Sequence, residues 1–147
     1  MTNTPIIKII VADDHEIFRD GLRMMLLKQA DIELVAEAED GKELIEKIKV
    51  FLPDVVITDI KMPRMDGIAA TRHITEHYPS IGIIALTMFD EDDLIVDMME
   101  AGAKGYLLKN ADKNEMVNAI QSVYTQESYY CKHTSQRLAQ MVAKSKF

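Results

Sequence analysis

IIKIIVADD, residues 6–14, sets the architecture of this chain. Its first seven residues are β-branched or small apart from Lys8, with no in–out alternation, as in a strand covered on both faces of a parallel sheet. Two acids close it. The next segment, 16–29, puts Phe18, Leu22, Met25 and Leu26 at i, i+4, i+7 and i+8, the spacing of one helix face. A buried strand followed by an amphipathic helix is one strand–helix unit, and the pattern recurs down the chain. Further strands are predicted at 32–38, 54–59 (DVVITD), 81–87 (IGIIALT) and 104–108 (KGYLL). Helices are predicted at 40–50, 68–77, 91–100 and from Asp112, a capping residue, to about Tyr124. Pro53 interrupts the second helix and Gly102 stops the fourth. KMPRMDG, residues 61–67, reads as a loop punctuated by Pro63 and Gly67.

Five alternating units predict an α/β fold, a doubly wound five-stranded parallel sheet with right-handed crossovers. Sites in such sheets lie at the carboxyl ends of the strands. Residues 126–147 leave the pattern as a C-terminal extension or linker. There Leu138, Met141 and Val142 predict an extra helix, and 144–147 read as a frayed end.

The chain has 147 residues, enough for one domain, and 48% of them are apolar, enough for a packed core. Its one cysteine, Cys131, excludes an intrachain disulfide and fits a cytoplasmic setting. No apolar run nears the ~20 residues of a membrane helix, and residues 1–5 lack the basic region of a secretory signal. Against 24 acids stand 17 bases, a net charge of −7. Such a domain is ill suited to grip a phosphate backbone, so no direct nucleic-acid or membrane contact is expected of this segment.

The strand ends carry the chemistry. Asp13 and Asp14 follow the first strand, Asp59 ends the third, Thr87 the fourth, and Lys109 follows the fifth. Three carboxylates at one rim repel each other unless a cation lies among them, and a few hard oxygen ligands with room for water suit Mg²⁺. A carboxylate, a metal, an ammonium and a hydroxyl are the parts needed to move a phosphoryl group onto an acid.

These residues resemble the receiver domains of bacterial two-component response regulators (CheY-like). The likeness covers about residues 6–123 and rests on Asp13-Asp14, on Asp59 followed by Met62-Pro63 and Asp66-Gly67, on Thr87 after Ile83-Ile84-Ala85-Leu86, and on Lys109 after Gly105-Tyr106-Leu107-Leu108. It implies the strand order 2-1-3-4-5. It implies that Asp59 is the phosphoacceptor, that Asp13, Asp14, Asp59 and the Lys61 backbone carbonyl hold Mg²⁺ or Mn²⁺, and that Lys109 pairs with Asp59 and later with the phosphoryl group. Thr87 and Tyr106 match the family's switch residues: Thr87 moves to the phosphoryl oxygen, Tyr106 turns inward, and the surface of helix four, strand five and helix five changes. The implied partner is a sensor histidine kinase, with a possible homodimer on phosphorylation. The stretches 86–90 and 101–109 are similar to the NarL/LuxR group, whose members carry a C-terminal helix-turn-helix domain. No such domain fits within this chain. Met88 departs from the small residue usual after the switch hydroxyl, and its bulk is expected to narrow access to Asp59.

Plainer readings exist for each residue alone. Asp13 and Asp14 could cap a helix, Lys109 could be a solvated loop lysine, Thr87 a strand-ending β-former, and Tyr106 a half-buried strand aromatic. His73 and His77, at i, i+4, read as a solvated helix face rather than a zinc pair, and Cys131 with His133 as incidental. A phosphohydrolase would need a second acid where Lys61 stands, and a flavin site would need a polar phosphate loop where Asp13-Asp14-His15-Glu16 would repel an anion. The expected function is thus a phosphorylation switch rather than an enzyme. It governs a transcription factor or, alternatively, acts as a stand-alone receiver through protein contacts or a phosphorelay.

Overall fold

The computed structural model describes residues 5–88, 91–131, 134 and 136–144. Five strands, β1 Ile7–Ala12, β2 Ile32–Ala38, β3 Val55–Asp59, β4 Gly82–Thr87 and β5 Gly105–Leu108, alternate with α1 Glu16–Leu27, α2 Gly41–Phe51, α3 Gly67–His77, α4 Asp92–Ala101 and α5 Lys113–Tyr124. A sixth helix, α6 Gln136–Lys144, follows. The frayed end expected at the C-terminus falls on 145–147, outside the described residues.

The helix boundaries have local causes. Asp40, Asp66 and Asp112 precede α2, α3 and α5, and each accepts the backbone N–H three residues on at 2.8–2.9 Å. Each satisfies a donor the helix cannot, worth about 1 kcal/mol. The Glu43 N–H, together with Arg64 at 2.5 Å, holds the Asp40 carboxyl below its ordinary value. Gly102 ends α4 at φ 122°, where its N–H reaches the closing carbonyls.

The sheet is parallel throughout, in the order β2-β1-β3-β4-β5. Each strand sends alternate residues to opposite sides, and both sides are covered. Ile9, Val11, Val55, Ile57, Ile84, Leu86 and Leu107 pack against α1 and α5. Ile10, Ala12, Val56, Ile83, Ala85, Tyr106 and Leu108 face α2, α3 and α4. Two-sided burial explains why β3, β4 and β5 read as largely apolar runs, while the edge strand β2 carries Glu33 and Glu37. From β1 the chain first winds outward to β2, then crosses to β3 on the other side. The carboxyl ends of β1 and β3 therefore flank the crevice where the winding reverses.

The residues after α5 fold back. Tyr129 bridges the free edge of β5 opposite Gly105, accepting the Tyr106 N–H at 3.1 Å and donating to the Lys104 carbonyl at 3.0 Å. Cys131 and Leu138 are buried in the same core as α4. Among the described residues, no helix is long and apolar enough to cross a membrane.

Candidate functional site

Asp13 leaves the end of β1 fully buried. Its Oδ1 accepts the His15 backbone N–H at 2.8 Å and lies 2.9 Å from His15 Nδ1. A carboxylate can only accept, so Nδ1 carries the proton in this contact. The Asp13 carbonyl accepts from the buried Arg19 guanidinium at 2.5 Å, and Arg19 pairs in turn with Glu37 at 3.2 Å. The acids thus do not cap α1; His15 stands at that position.

Asp59 closes β3. Its Oδ1 accepts the Ile60 N–H at 2.8 Å, and its Oδ2 accepts from Lys109 Nζ at 3.0 Å. The same ammonium lies 2.9 Å from Asp13 Oδ2, so it bridges the two carboxylates. Lys109 also sits 5.1 Å above the Phe18 ring, a cation–π contact that fixes the ammonium from the α1 side.

The two partners of the Asp59–Lys109 pair are displaced with opposite consequences. Burial raises the Asp59 carboxyl, and the charge of Asp13 raises it further. Lys109 and the Ile60 N–H offset this only in part. Burial lowers Lys109, but Asp13 and Asp59 together outweigh it and hold the ammonium above its ordinary value. Lys109 meets two carboxylates, whereas Asp59 meets one ammonium and one carboxylate. The cluster has an excess of negative charge.

That excess is where a cation fits. Ligand atoms of Asp13, Asp14, His15 and Asp59 all lie within 4.8 Å of one another. The set is mostly hard oxygen and is short of positive charge, with Lys109 the one ammonium against three carboxylates. It could hold a metal ion. Lys61 follows at the rim, its side chain directed away to Glu91 at 3.6 Å.

The β3–α3 loop depends on Gly67. Its N–H bonds the Ile60 carbonyl at 2.7 Å. A Cβ here would overlap the Asp59 carbonyl oxygen and stand 3.0 Å from Ile60 Cα, both backbone. Gly67→Ala is expected to cost about 1–3 kcal/mol as the loop shifts. Thermal unfolding monitored by circular dichroism, with and without Mg²⁺, checks this. An unchanged midpoint would mean the loop yields freely.

Thr87 and Tyr106 are placed differently from the acids. The Thr87 hydroxyl donates to the Met88 carbonyl at 3.1 Å rather than toward Asp59. Thr87 nevertheless shares a cavity of about 170 Å³ with Met88, Leu108, Lys109 and Asn110, and its carbonyl accepts the Lys109 N–H at 2.9 Å. Met88 is 57% exposed at that cavity. Tyr106 is buried, 1% exposed, beneath the residues that follow α5: its hydroxyl bonds that of Thr134, and the Tyr130 ring lies 6.2 Å away.

His15, Arg19 and Phe18 belong to the site without having been singled out for it. Only His15, next to the acids, gave a signal that spacing could have used. His73 and His77 stack at 4.3 Å on α3 and take no part in the acidic group. His133 and the Phe89-Asp90 part of the NarL/LuxR-like stretch lie outside the described residues.

A doubly wound sheet with this acidic crevice and its lysine defines a class, and the chain belongs to it: the response regulator receiver domain family, whose model matches residues 9–121. Within that family the likeness is to the NarL/LuxR type of two-component response regulator. The chain is 43% identical over 123 residues to the oxygen regulatory protein NreC of Staphylococcus epidermidis, covering 83% of this chain and 56% of that protein. A crystal structure of a LuxR-family two-component response regulator from Aurantimonas sp. superposes with TM-score 0.81 at 32% identity, covering 95% of this chain and 96% of that one. The signal receiver domain of the putative response regulator NarL from Mycobacterium tuberculosis does so with TM-score 0.78 at 30% identity, covering 82% and 98%. The chain spans little more than half the length of its curated relative.

Proposed function

We propose that the chain is a phosphorylation switch in which Asp59 accepts a phosphoryl group from a sensor histidine kinase in the cytoplasm. One observation carries this reading. The Asp59 carboxylate bonds Lys109, which also meets the buried Asp13, and with Asp14 the cluster holds more carboxylate than cation charge. Asp13, Asp14, Asp59 and the Lys61 carbonyl would hold Mg²⁺ or Mn²⁺. Such an ion neutralises charge on the transferring group and on the attacking acid. An Asp59 oxygen forms the new O–P bond as the donor's P–N bond breaks, and the leaving imidazole keeps the electron pair. Lys109 then passes from the carboxylate to a phosphoryl oxygen. Thr87 leaves the Met88 carbonyl for another and opens space beside Tyr106. The phosphoryl group thus favours one of two packings of the α4–β5–α5 surface, a population shift and not turnover of a substrate.

The output we propose is control of a C-terminal helix-turn-helix domain, with dimers forming on phosphorylation. The likeness to NarL/LuxR-type regulators supports this over a free-standing receiver.

Acetyl phosphate with Mg²⁺ is expected to add one hydroxylamine-labile phosphoryl group by intact mass, and chelation of the metal to prevent it. Borohydride reduction of the acyl phosphate should place the label at Asp59 on peptide mapping. A label on another residue would dispose of the assignment.

A further inference from the structure

We infer that Arg19 is a positioning residue for the acidic crevice: by gripping the carbonyl that joins Asp13 to Asp14, it sets both carboxylates where they can meet one metal ion, an assignment that rests on the metal-dependent switch proposed above. Arg19 has no lone pair to offer and cannot itself be a ligand.

A buried guanidinium needs partners. Arg19, on the first turn of α1, is 9% exposed and has three. Its Nε donates to Glu37 Oε1 of β2 at 3.2 Å, and its Nη2 lies 3.9 Å from Glu39. Its Nη1 donates to the Asp13 carbonyl at 2.5 Å. Glu37 is steadied in turn by Arg23, which meets its other oxygen at 2.6 Å. The side chain thus ties the end of β1 to the end of β2.

The carbonyl matters because of where the ladder stops. β1 pairs with β3 as far as Ala12, opposite Thr58, and Asp13 lies one residue beyond. On the β2 side its N–H still bonds the Ala38 carbonyl at 3.0 Å. Its own carbonyl is past the last pair with β3, and Arg19 supplies the donor a strand would have supplied. The following N–H, that of His15, bonds Asp13 Oδ1 at 2.8 Å. Three successive planar peptide units, before Asp13, between the two acids and after Asp14, are therefore each held by one hydrogen bond. With those planes held, the backbone angles of both acids are set, and so are the directions in which their side chains leave. Asp13 and Asp14 then present oxygens within 4.8 Å of that of Asp59. Of the three anchors, the middle one is the only side chain from outside the acidic segment.

Charge and position predict opposite signs. As a bare charge Arg19 repels a dication, so its removal would tighten metal binding. As an anchor its removal loosens the ligands, and loss of such an outer partner costs about 10–100-fold in metal affinity. Binding of Mn²⁺ to the full 147-residue chain is read from the electron paramagnetic resonance signal of the free ion. Arg19→Gln is expected to weaken it by about 10–100-fold. Arg19→Lys keeps the charge, but an ammonium is a single point and cannot span Glu37 and the carbonyl as the planar fork does. It should weaken binding by about tenfold. Arg23→Gln removes a neighbouring charge and leaves the carbonyl bond, and it should stay within about twofold of the parent. At saturating Mn²⁺ both Arg19 variants should take acetyl-phosphate label at the parent's rate, because Asp59 and Lys109 keep their contact. Equal or tighter binding in either variant overturns this inference alone. So does labelling that stays slow at saturating metal, or a lysine variant that no longer folds, since Arg19 would then be part of the scaffold only. A parent chain that binds no Mn²⁺ and takes no label overturns the switch itself.

Discussion

Lys109→Ala is expected to destabilise the folded protein by about 3–5 kcal/mol near neutral pH, the cost of stranding buried charge. Lys109 is the cation that both Asp13 and Asp59 meet, at 2.9 and 3.0 Å. Without it two carboxylates, one fully buried, confront each other, with the Ile60 N–H to offset Asp59 and the His15 N–H and ring to offset Asp13. The sign with pH follows from its raised pKa. Lys109 lends stability at every pH below the ordinary lysine value and loses it only as pH climbs through the higher folded value. The deficit of the variant is therefore full at pH 7. It should narrow as pH falls into the carboxylate range, where the stranded acids take up protons. Added Mg²⁺ should restore part of the loss, since a bound cation stabilises the folded state it binds. Urea unfolding at pH 5 and pH 7.5, with and without Mg²⁺, measures all three. A deficit below about 1 kcal/mol at pH 7.5 would show that water, not Lys109, balances the acids.

Asp59→Asn should change the protein in the opposite sense while abolishing the acetyl-phosphate label. Its carboxyl is raised first by burial and further by Asp13. A raised acid favours folding most below its unfolded value near 4, and that advantage is lost as pH rises through the folded value. At pH 7 the ionised side chain thus costs stability. Asparagine keeps the shape, and its one oxygen still accepts from the Ile60 N–H or from Lys109, though not in place of both carboxylate oxygens. After allowance for water at the rim, the variant should gain about 1–2 kcal/mol, a rise of roughly 3–6 °C in Tm. The gain should vanish below about pH 4 and shrink in Mg²⁺, which relieves the parent of the same repulsion. Scanning calorimetry across pH, beside intact-mass labelling of both proteins, tests this. A lower Tm for the variant would mean that the Lys109 pair outweighs burial, and retained labelling would place the acceptor elsewhere.

Much of this was legible before any coordinates. The unbroken apolar runs of β1, β3 and β4, each covered on two faces, could be little else than parallel strands. The helices fell within one residue of their observed bounds where a capping aspartate or a glycine stop marked them, as at Asp112 and Gly102. The end of α1 lacked such a mark, and the expected helix overran it by two residues. The acids and the lysine were legible because chain order fixes which strand ends meet.

What chain order could not supply was direction. Asp13 turns one oxygen to His15 and the other to Lys109. The Thr87 hydroxyl turns to its neighbour's carbonyl, and the Tyr106 hydroxyl meets that of a residue 28 positions away. Within 126–147, expected as an extension or linker with an extra helix, Tyr129 pairs with the sheet edge and Cys131 and Leu138 are buried in the core. Period and spacing report the face on which a residue stands, because they follow the repeat of the backbone. The partner a polar atom finds depends on which distant groups are packed within 3 Å of it, and that is set only when the whole core closes.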